Sequence, residues 1–206
     1  MKRKSKSVWQ DSWCGTFDNG TAALVDVETT GLSTYHDEII ELALVLFSFH
    51  RDTGKILEVM EEYTGLREPS KPISRGSFSV HGISFAQVRG KCLNHELIED
   101  MINRAEFMIA HNANFDRAFL LSLFPTAAQK PWYCSMRCIN WKEKGFVSRS
   151  LPRLLQAHKI IPQKSHRAYN DVRASLSLLS LYDCKSGEAY FSELLKNGPI
   201  ITKKKA

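Results

Sequence analysis

Apolar residues dominate three stretches in the first third of the chain, and polar turn residues bound each of them. The stretches cover residues 22–27, 39–49 and 56–63. A Thr-Thr-Gly turn follows the first at residues 29–31, and the turn 51–54 separates the second from the third. Short apolar runs with such boundaries are typical of buried strands. The pattern therefore predicts a three-stranded meander.

Further along, the apolar positions follow the helical period. Asn94 can cap a helix that carries Leu97, Ile98, Met101 and Ile102. We also expect helices over 113–124, 136–142, 151–158 and 168–181, and short strands at 107–110 and 132–134. Connections through helices join parallel strands, whereas the opening meander is antiparallel. The chain is thus predicted to be an α/β protein with a mixed five-stranded sheet flanked by helices.

Composition favours a folded domain with an anionic partner. Of 206 residues, 43% are hydrophobic and 24% are charged, which excludes the collagen-like, coiled-coil and fully disordered classes. The net charge of +6 favours a polyanion such as nucleic acid. Five scattered cysteines without a CxxC pair indicate neither a disulfide framework nor a zinc site, and they favour a reducing cytoplasm.

We expect neither a secretory signal nor a membrane helix. The basic start of the chain is followed by Val-Trp-Gln-Asp at residues 8–11 rather than by an apolar run. The longest apolar stretch, 39–49, is interrupted by Glu41 and is much shorter than the roughly 20 residues that a membrane helix requires.

Candidate chemistry begins with two acidic residues on the first predicted strand. Asp26 and Glu28 stand at positions i and i+2, so both carboxylates should emerge on one face. Taken alone, such a pair can also cap turn amides or face solvent. Two later segments add further acids: Ala-His-Asn-Ala-Asn-Phe-Asp ends at Asp116, and His-Arg-Ala-Tyr-Asn-Asp runs from His166 to Asp171.

Together with Asp-Val-Glu-Thr-Thr-Gly-Leu at residues 26–32, these segments resemble the three motifs of the DnaQ-like, DEDDh family of 3′ to 5′ exonucleases. Val-His-Gly-Ile-Ser at residues 80–84 resembles the family's His-Gly-Ile element, so the resemblance covers residues 22–182. It implies a ribonuclease H-like fold. It also implies an enzyme that hydrolyses phosphodiester bonds at a 3′ end and releases nucleoside 5′-monophosphates, as in proofreading or repair of DNA.

The resemblance implies a catalytic set made of four metal-ligating carboxylates and one general base: Asp26, Glu28, Asp116, Asp171 and His166. Two Mg²⁺ or Mn²⁺ ions would balance the four negative charges, and ligands that are all oxygen suit these ions rather than zinc. Histidine suits a proton acceptor near neutral pH. The related tyrosine-type group carries Tyr four residues before the final Asp, where this chain has Arg167.

The substrate-binding residues implied by the resemblance lie in three loops and one helix start: Thr29, Thr30, Gly31, Leu32, His81, Ile83, Asn112 and Phe115. Gly31 permits close approach of the backbone, and Leu32 would wedge at the terminal base. Core packing is the alternative for Ile83 and Phe115, and loop ordering is the alternative for His81 and Asn112. The basic residues Lys164, Arg167 and Arg173 could attract backbone phosphates or form a solvated face.

Three functional readings stay open at this point. The expected partner is the 3′ end of single-stranded DNA or RNA, with DNA preferred. A 3′ to 5′ exoribonuclease that trims RNA is the alternative within the same class, because no residue plainly recognises a 2′-hydroxyl. The alternative from another class is a catalytically idle module that binds nucleic acid or a polymerase. For the exonuclease itself, a polymerase is a further expected partner. We divide the chain into a basic, aromatic extension (1–20), the exonuclease domain (21–184), and a C-terminal helix with a basic tail (185–206).

Overall fold

A computed structural model describes residues 18–161 and 166–200. Its centre is one sheet in the order β3-β2-β1-β4-β5. The five strands are β1 (Asn19–Thr29), β2 (Ile39–His50), β3 (Ile56–Leu66), β4 (Phe107–Ala110) and β5 (Trp132–Cys134). The first three pair antiparallel, and β4 runs parallel to both β1 and β5. The predicted mixed five-stranded sheet and its opening meander are therefore confirmed.

Seven α-helices in the described part of the chain flank this sheet: α1 (Arg75–His81), α2 (Phe85–Val88), α3 (His95–Arg104), α4 (Ala113–Leu123), α5 (Leu151–Ala157), α6 (Ala168–Leu179) and α7 (Tyr190–Lys196). The Asn94 side chain caps α3 through the backbone N–H of Leu97, at 3.1 Å, as its position predicts. A 3₁₀ helix starting at Pro125 follows α4. No helix in this part of the chain is both long and apolar enough to cross a membrane.

The core has two layers, one on each face of the sheet. On β2, Ala43, Val45 and Phe47 point into a cluster with α5, α6 and α7. The alternate residues Leu42, Leu44 and Leu46 point into a cluster with α3 and α4. A strand that is buried on both faces reads as a continuous apolar run, which explains the unbroken stretch around 42–47.

The helix expected over 136–142 is wrong, because this segment forms turns. The backbone N–H groups of Ser135 and Met136 donate to the carbonyls of Ala110 and His111, so they continue the pairing beside β4 instead of entering a helix. Asn140 donates its N–H to the Glu193 carboxylate at 2.9 Å. These contacts to distant parts of the chain override the local helical pattern.

The structure describes only part of each end of the chain. Residues 1–17, which include most of the basic extension, and 201–206, with the basic tail, lie outside the described residues, as does Lys164. The C-terminal helix α7 packs Tyr190, Phe191 and Leu194 into the same cluster as α6. The four cysteines that the structure describes are unpaired.

Candidate active site

Three carboxylates meet where β1 approaches its C-terminal end. Asp26 and Glu28 point to the same face of β1 as Ala22 and Leu24, which is the face covered by α6. Asp171 lies in the first turn of α6. Carboxylate oxygens of Asp26, Glu28 and Asp171 all lie within 4.8 Å of one another, so the three side chains could share a metal ion. All three residues are at least partly buried.

The fourth predicted ligand, Asp116, approaches from the other face of the sheet. It lies in the first turn of α4, which packs on the opposite side of the sheet from α6 and starts three residues after the end of β4. Its side chain is 3% exposed, and its carboxylate accepts the backbone N–H of Val27. Asp116 lies outside the tight group of three, but its charge acts on both Asp26 and Glu28.

Burial and mutual repulsion make it costly to ionise these acids together. Burial, together with the charges of Asp116 and Glu28, raises the pKa of Asp26 well above its usual range. Burial and the charge of Asp171 raise the pKa of Glu28 to about 8, and burial raises the pKa of Asp116 to about 7. An acidic group of this kind is stabilised by cations that bind it.

Glu41 is a further acid at this site, and the motif comparison did not identify it. It lies on β2 directly opposite Glu28 and is 2% exposed. The Arg167 guanidinium binds it through Nη2 at 2.6 Å and Nε at 3.0 Å. The only signal in the sequence is a single charge inside the apolar stretch 39–49. Arg167 is therefore engaged in an ion pair, and Arg173 likewise pairs with Glu62.

His166 lies two residues before the start of α6, beside the acidic cluster. Its φ of 57° lies in the left-handed region, which is uncommon for a residue other than glycine. The His166 backbone N–H donates to Oδ2 of Asp171 at 3.0 Å. This bond and the imidazole both oppose the rise that burial causes in the pKa of Asp171. The predicted general base therefore lies in electrostatic contact with one of the predicted metal ligands.

The loop after Glu28 is held by its own hydrogen bonds. The Thr29 hydroxyl donates to the Gly31 carbonyl at 2.5 Å, and the Thr30 hydroxyl donates to the Asp37 carboxylate at 2.9 Å. A Cβ at Gly31 would lie 2.4 Å from Oδ2 of Asp37, so any larger residue would displace that carboxylate. Leu32 is 83% exposed. Of these four predicted contacts, only the Leu32 side chain extends into solvent.

The remaining predicted substrate residues divide into buried and accessible ones. Nδ1 of His81 accepts the backbone N–H of Ile83 at 2.9 Å, and burial lowers the pKa of His81. Ile83 is itself buried. Asn112 is exposed at the start of α4, and the half-buried Phe115 packs against Phe119 with ring centroids 4.8 Å apart.

Comparison with known proteins identifies the class. The family model RNase_T, described as an exonuclease, matches residues 24–179, which is well over half of the chain. The chain therefore belongs to this exonuclease family, and the resemblance seen in its motifs is confirmed. The matched region contains the whole sheet from Leu24 onward and all five predicted catalytic residues.

Relatives and structural neighbours agree with this assignment. A PolC-type DNA polymerase III of Thermotoga petrophila is 31% identical over 169 residues, which cover 80% of this chain and 12% of that protein. Exonuclease X, solved with 5′ overhanging duplex DNA, is 25% identical with a TM-score of 0.58, covering 83% of this chain and 99% of that one.

Exonuclease I of E. coli, solved with an oligonucleotide, shares the fold: it is 18% identical with a TM-score of 0.63, covering 86% of this chain and 43% of that one. The ribonuclease H-like fold expected from the motifs is thus confirmed. This chain spans about an eighth of the length of the polymerases it matches.

Proposed function

We propose that this protein removes nucleoside 5′-monophosphates one at a time from the 3′ end of single-stranded nucleic acid, with DNA as the preferred substrate. The observation that carries the proposal is the meeting of Asp26, Glu28 and Asp171 within 4.8 Å, with Asp116 beside them. Membership of the exonuclease family gives the reaction class. The DNA bound by exonuclease X and by exonuclease I supports the choice of substrate.

The residues fit a pair of divalent cations. Their donors are all carboxylate oxygens, which suit Mg²⁺ or Mn²⁺. Burial, and for Glu28 also the charge of Asp171, raises the pKa values of Glu28 and Asp116, so ionising these acids together has a cost that bound cations would offset. Asp26, Glu28 and Asp171 would hold one ion, and Asp26 and Asp116 the other. When bound, the two ions would stabilise the charge that develops on the attacking and departing oxygens.

His166 supplies the general base in this proposal. Its position before Asp171, outside the tight group of carboxylates, lets the imidazole accept the proton of the attacking water without acting as a ligand. The proton leaves the water as its oxygen attacks phosphorus. The bond between phosphorus and the 3′ oxygen of the preceding nucleotide then breaks.

The terminal nucleotide would lie against the loop that follows β1. Exposed Leu32 is suited to wedge at its base, and Phe115 and Asn112 border the same end of the sheet. The Thr29 and Thr30 hydroxyls are bonded within the loop. We therefore assign the contacts with the terminal nucleotide to the backbone of Thr29, Thr30 and Gly31. His81 and Ile83 would support the loop from beneath, since both side chains are buried.

A neighbouring groove of about 820 Å³ is suited to the nucleotides before the terminal one. Phe78 and Phe85 line it and are about half exposed, and Arg75 adds a positive charge. The groove is connected to the loop that follows β1 by a hydrogen bond, in which the Ser74 N–H donates to the Thr30 carbonyl at 2.9 Å. Aromatic faces with nearby cations are typical of sites that stack single-stranded bases.

The relatives also suggest a setting. Because relatives such as that of Thermotoga petrophila are PolC-type polymerases, we propose a polymerase as a partner of this domain and proofreading as its task. The unpaired cysteines favour a reducing, cytoplasmic compartment. We assign catalysis to residues 21–184.

Strands labelled at either end test the proposal. Purified protein would receive single-stranded DNA, duplex DNA and RNA, in Mg²⁺ and in EDTA, with Asp26→Asn as the control. We expect 5′-labelled single-stranded DNA to shorten stepwise in Mg²⁺ only, and the variant to be inactive. Faster cleavage of RNA would favour the exoribonuclease, binding without cleavage would favour the idle module, and immediate release of the 5′ label would refute the direction.

A further inference from the structure

Glu41 and Arg167 form a connection between β2 and the segment that carries His166. The two carboxylate oxygens of Glu41 receive Nε and Nη2 of Arg167 at 2.6–3.0 Å. The same carboxylate also accepts the backbone N–H of Ala168, the first residue of α6, at 3.0 Å. From β2, Glu41 thus binds the side chain of Arg167 and the backbone of the next residue, Ala168.

We infer that Glu41 and Arg167 are positioning residues that hold His166 over the acidic cluster and fix the first turn of α6. The inference rests on the proposed function, because that proposal gives His166 its task. Neither residue belongs to the matched motif positions of the catalytic set. The pair acts through its neighbours and does not touch the reacting atoms.

The start of α6 depends on a cap from outside the helix. The side chain of Arg167 at the N-cap position makes no capping bond, so the first N–H groups of the helix need other acceptors. Glu41 caps Ala168, and the Asp171 carboxylate receives the N–H of His166. The helix start is therefore fixed by two carboxylates, one of which is a predicted metal ligand.

His166 needs such support because its backbone is strained. A φ of 57° persists in a residue other than glycine only where the surrounding structure imposes it. Arg167, the next residue, is fixed to a buried acid on a central part of the sheet. A two-pronged arginine contact of this kind fixes orientation as well as distance.

The ion pair of Glu41 and Arg167 also reduces the electrostatic repulsion between Glu41 and Glu28. Glu41 lies opposite Glu28 on the neighbouring strand, and like charges placed in this way repel. Arg167 balances Glu41 and acts favourably on Glu28. Because Nε and Nη2 both bind Glu41, these donors are not free for a substrate phosphate, so loss of Arg167 should change kcat more than KM.

Epistasis with His166 tests the inference. Arg167→Gln and Glu41→Gln would each be measured in the wild type and in His166→Ala, by single-turnover cleavage at saturating Mg²⁺. We expect each single change to lower kcat by about tenfold or more with KM within about threefold, and to cost less than about twofold further in the His166→Ala background. Arg167→Lys, which keeps the charge but loses the fork, should lie between the wild type and Arg167→Gln.

Arg104→Gln is the matched control, because Arg104 bonds Asp100 and Glu61 on elements that carry no site residue. It should leave kcat unchanged in both backgrounds. Thermal melts of every variant, and of the Glu41→Gln, Arg167→Gln double variant, exclude loss of the fold as the cause, and the double variant should be no slower than either single one.

Equal losses in both backgrounds, a large rise in KM, or at least half the wild-type rate in Arg167→Gln would overturn the inference. If His166→Ala itself cleaves like the wild type, the general base of the proposed function fails, and the positioning role fails with it. These outcomes are distinguishable, since only the second leaves the His166→Ala rate intact.

Discussion

Raising the pH should destabilise the metal-free protein, because its buried carboxyls hold protons that the unfolded chain has already lost. The pKa of Glu28 is about 8 in the folded protein against 4.5 ordinarily, and that of Asp116 is about 7 against 3.8. Between pH 6.5 and 9 these two carboxyls therefore bind more protons in the folded state than in the unfolded state. Under this condition the free energy of unfolding falls as the pH rises.

The size of the effect follows from these pKa values. Over the interval from pH 6.5 to 9, deprotonation of Glu28 costs about 2 kcal/mol and that of Asp116 about 1 kcal/mol. For a chain of this length, 1 kcal/mol corresponds to a shift of roughly 2–4 °C in melting temperature. The metal-free protein should therefore melt roughly 6–12 °C lower at pH 9 than at pH 6.5.

Melting curves in EDTA across this pH range measure the effect, with Glu28→Gln as the control. The variant cannot lose the Glu28 proton, so its slope should be smaller by the Glu28 share. Saturating Mg²⁺ should abolish or reverse the slope, because a bound cation replaces the protons. A melting temperature that is flat or rises from pH 6.5 to 9 in EDTA, or equal slopes in the two proteins, would refute this electrostatic account.

Three substitutions test the roles assigned at the site. Asp26→Asn should weaken Mn²⁺ binding, measured by calorimetry, by more than about 100-fold, because removing a residue that only supports a metal ligand already costs up to about 100-fold. Unchanged affinity would exclude Asp26 as a ligand. His166→Ala should lower kcat by about 10²–10⁴ while Mn²⁺ affinity persists, and loss of metal binding would instead make His166 a ligand. Phe85→Ala should raise KM for long single strands by about fivefold or more without changing KM for a dinucleotide, and equal effects on both substrates would exclude stacking in the groove.

The sheet and the positions of Asp26 and Glu28 could be predicted because they follow from local patterns. Alternation along β1 places both acids on one face, and the structure has them there. The boundaries of α3 and α4 follow from Asn94 and Pro125. Periodicity and terminating residues are properties of short segments, so a sequence displays them directly.

The role of Glu41 could not be predicted, because its partner lies 126 positions away. A charge in an apolar stretch signals an unusual residue but does not say what binds it. The turns at 136–142 could not be predicted for the same physical reason, since Met136 donates its N–H to His111, just after β4, and Asn140 donates to Glu193 on α7. The family resemblance places Asp116 in the predicted metal set, but it does not show that Asp116 approaches from the opposite face of the sheet.

The most direct test of the central claim is to cleave a 5′-labelled single-stranded oligonucleotide in ¹⁸O-enriched water and weigh the products. In Mg²⁺ the wild type should release nucleoside 5′-monophosphates that each carry one ¹⁸O on phosphorus, and the shortened strands should end in a 3′-hydroxyl. Asp26→Asn should release none. Products that bear a 3′-phosphate, loss of nucleotides from the 5′ end, or undiminished release by Asp26→Asn would contradict hydrolysis of the 3′ end at this acidic cluster.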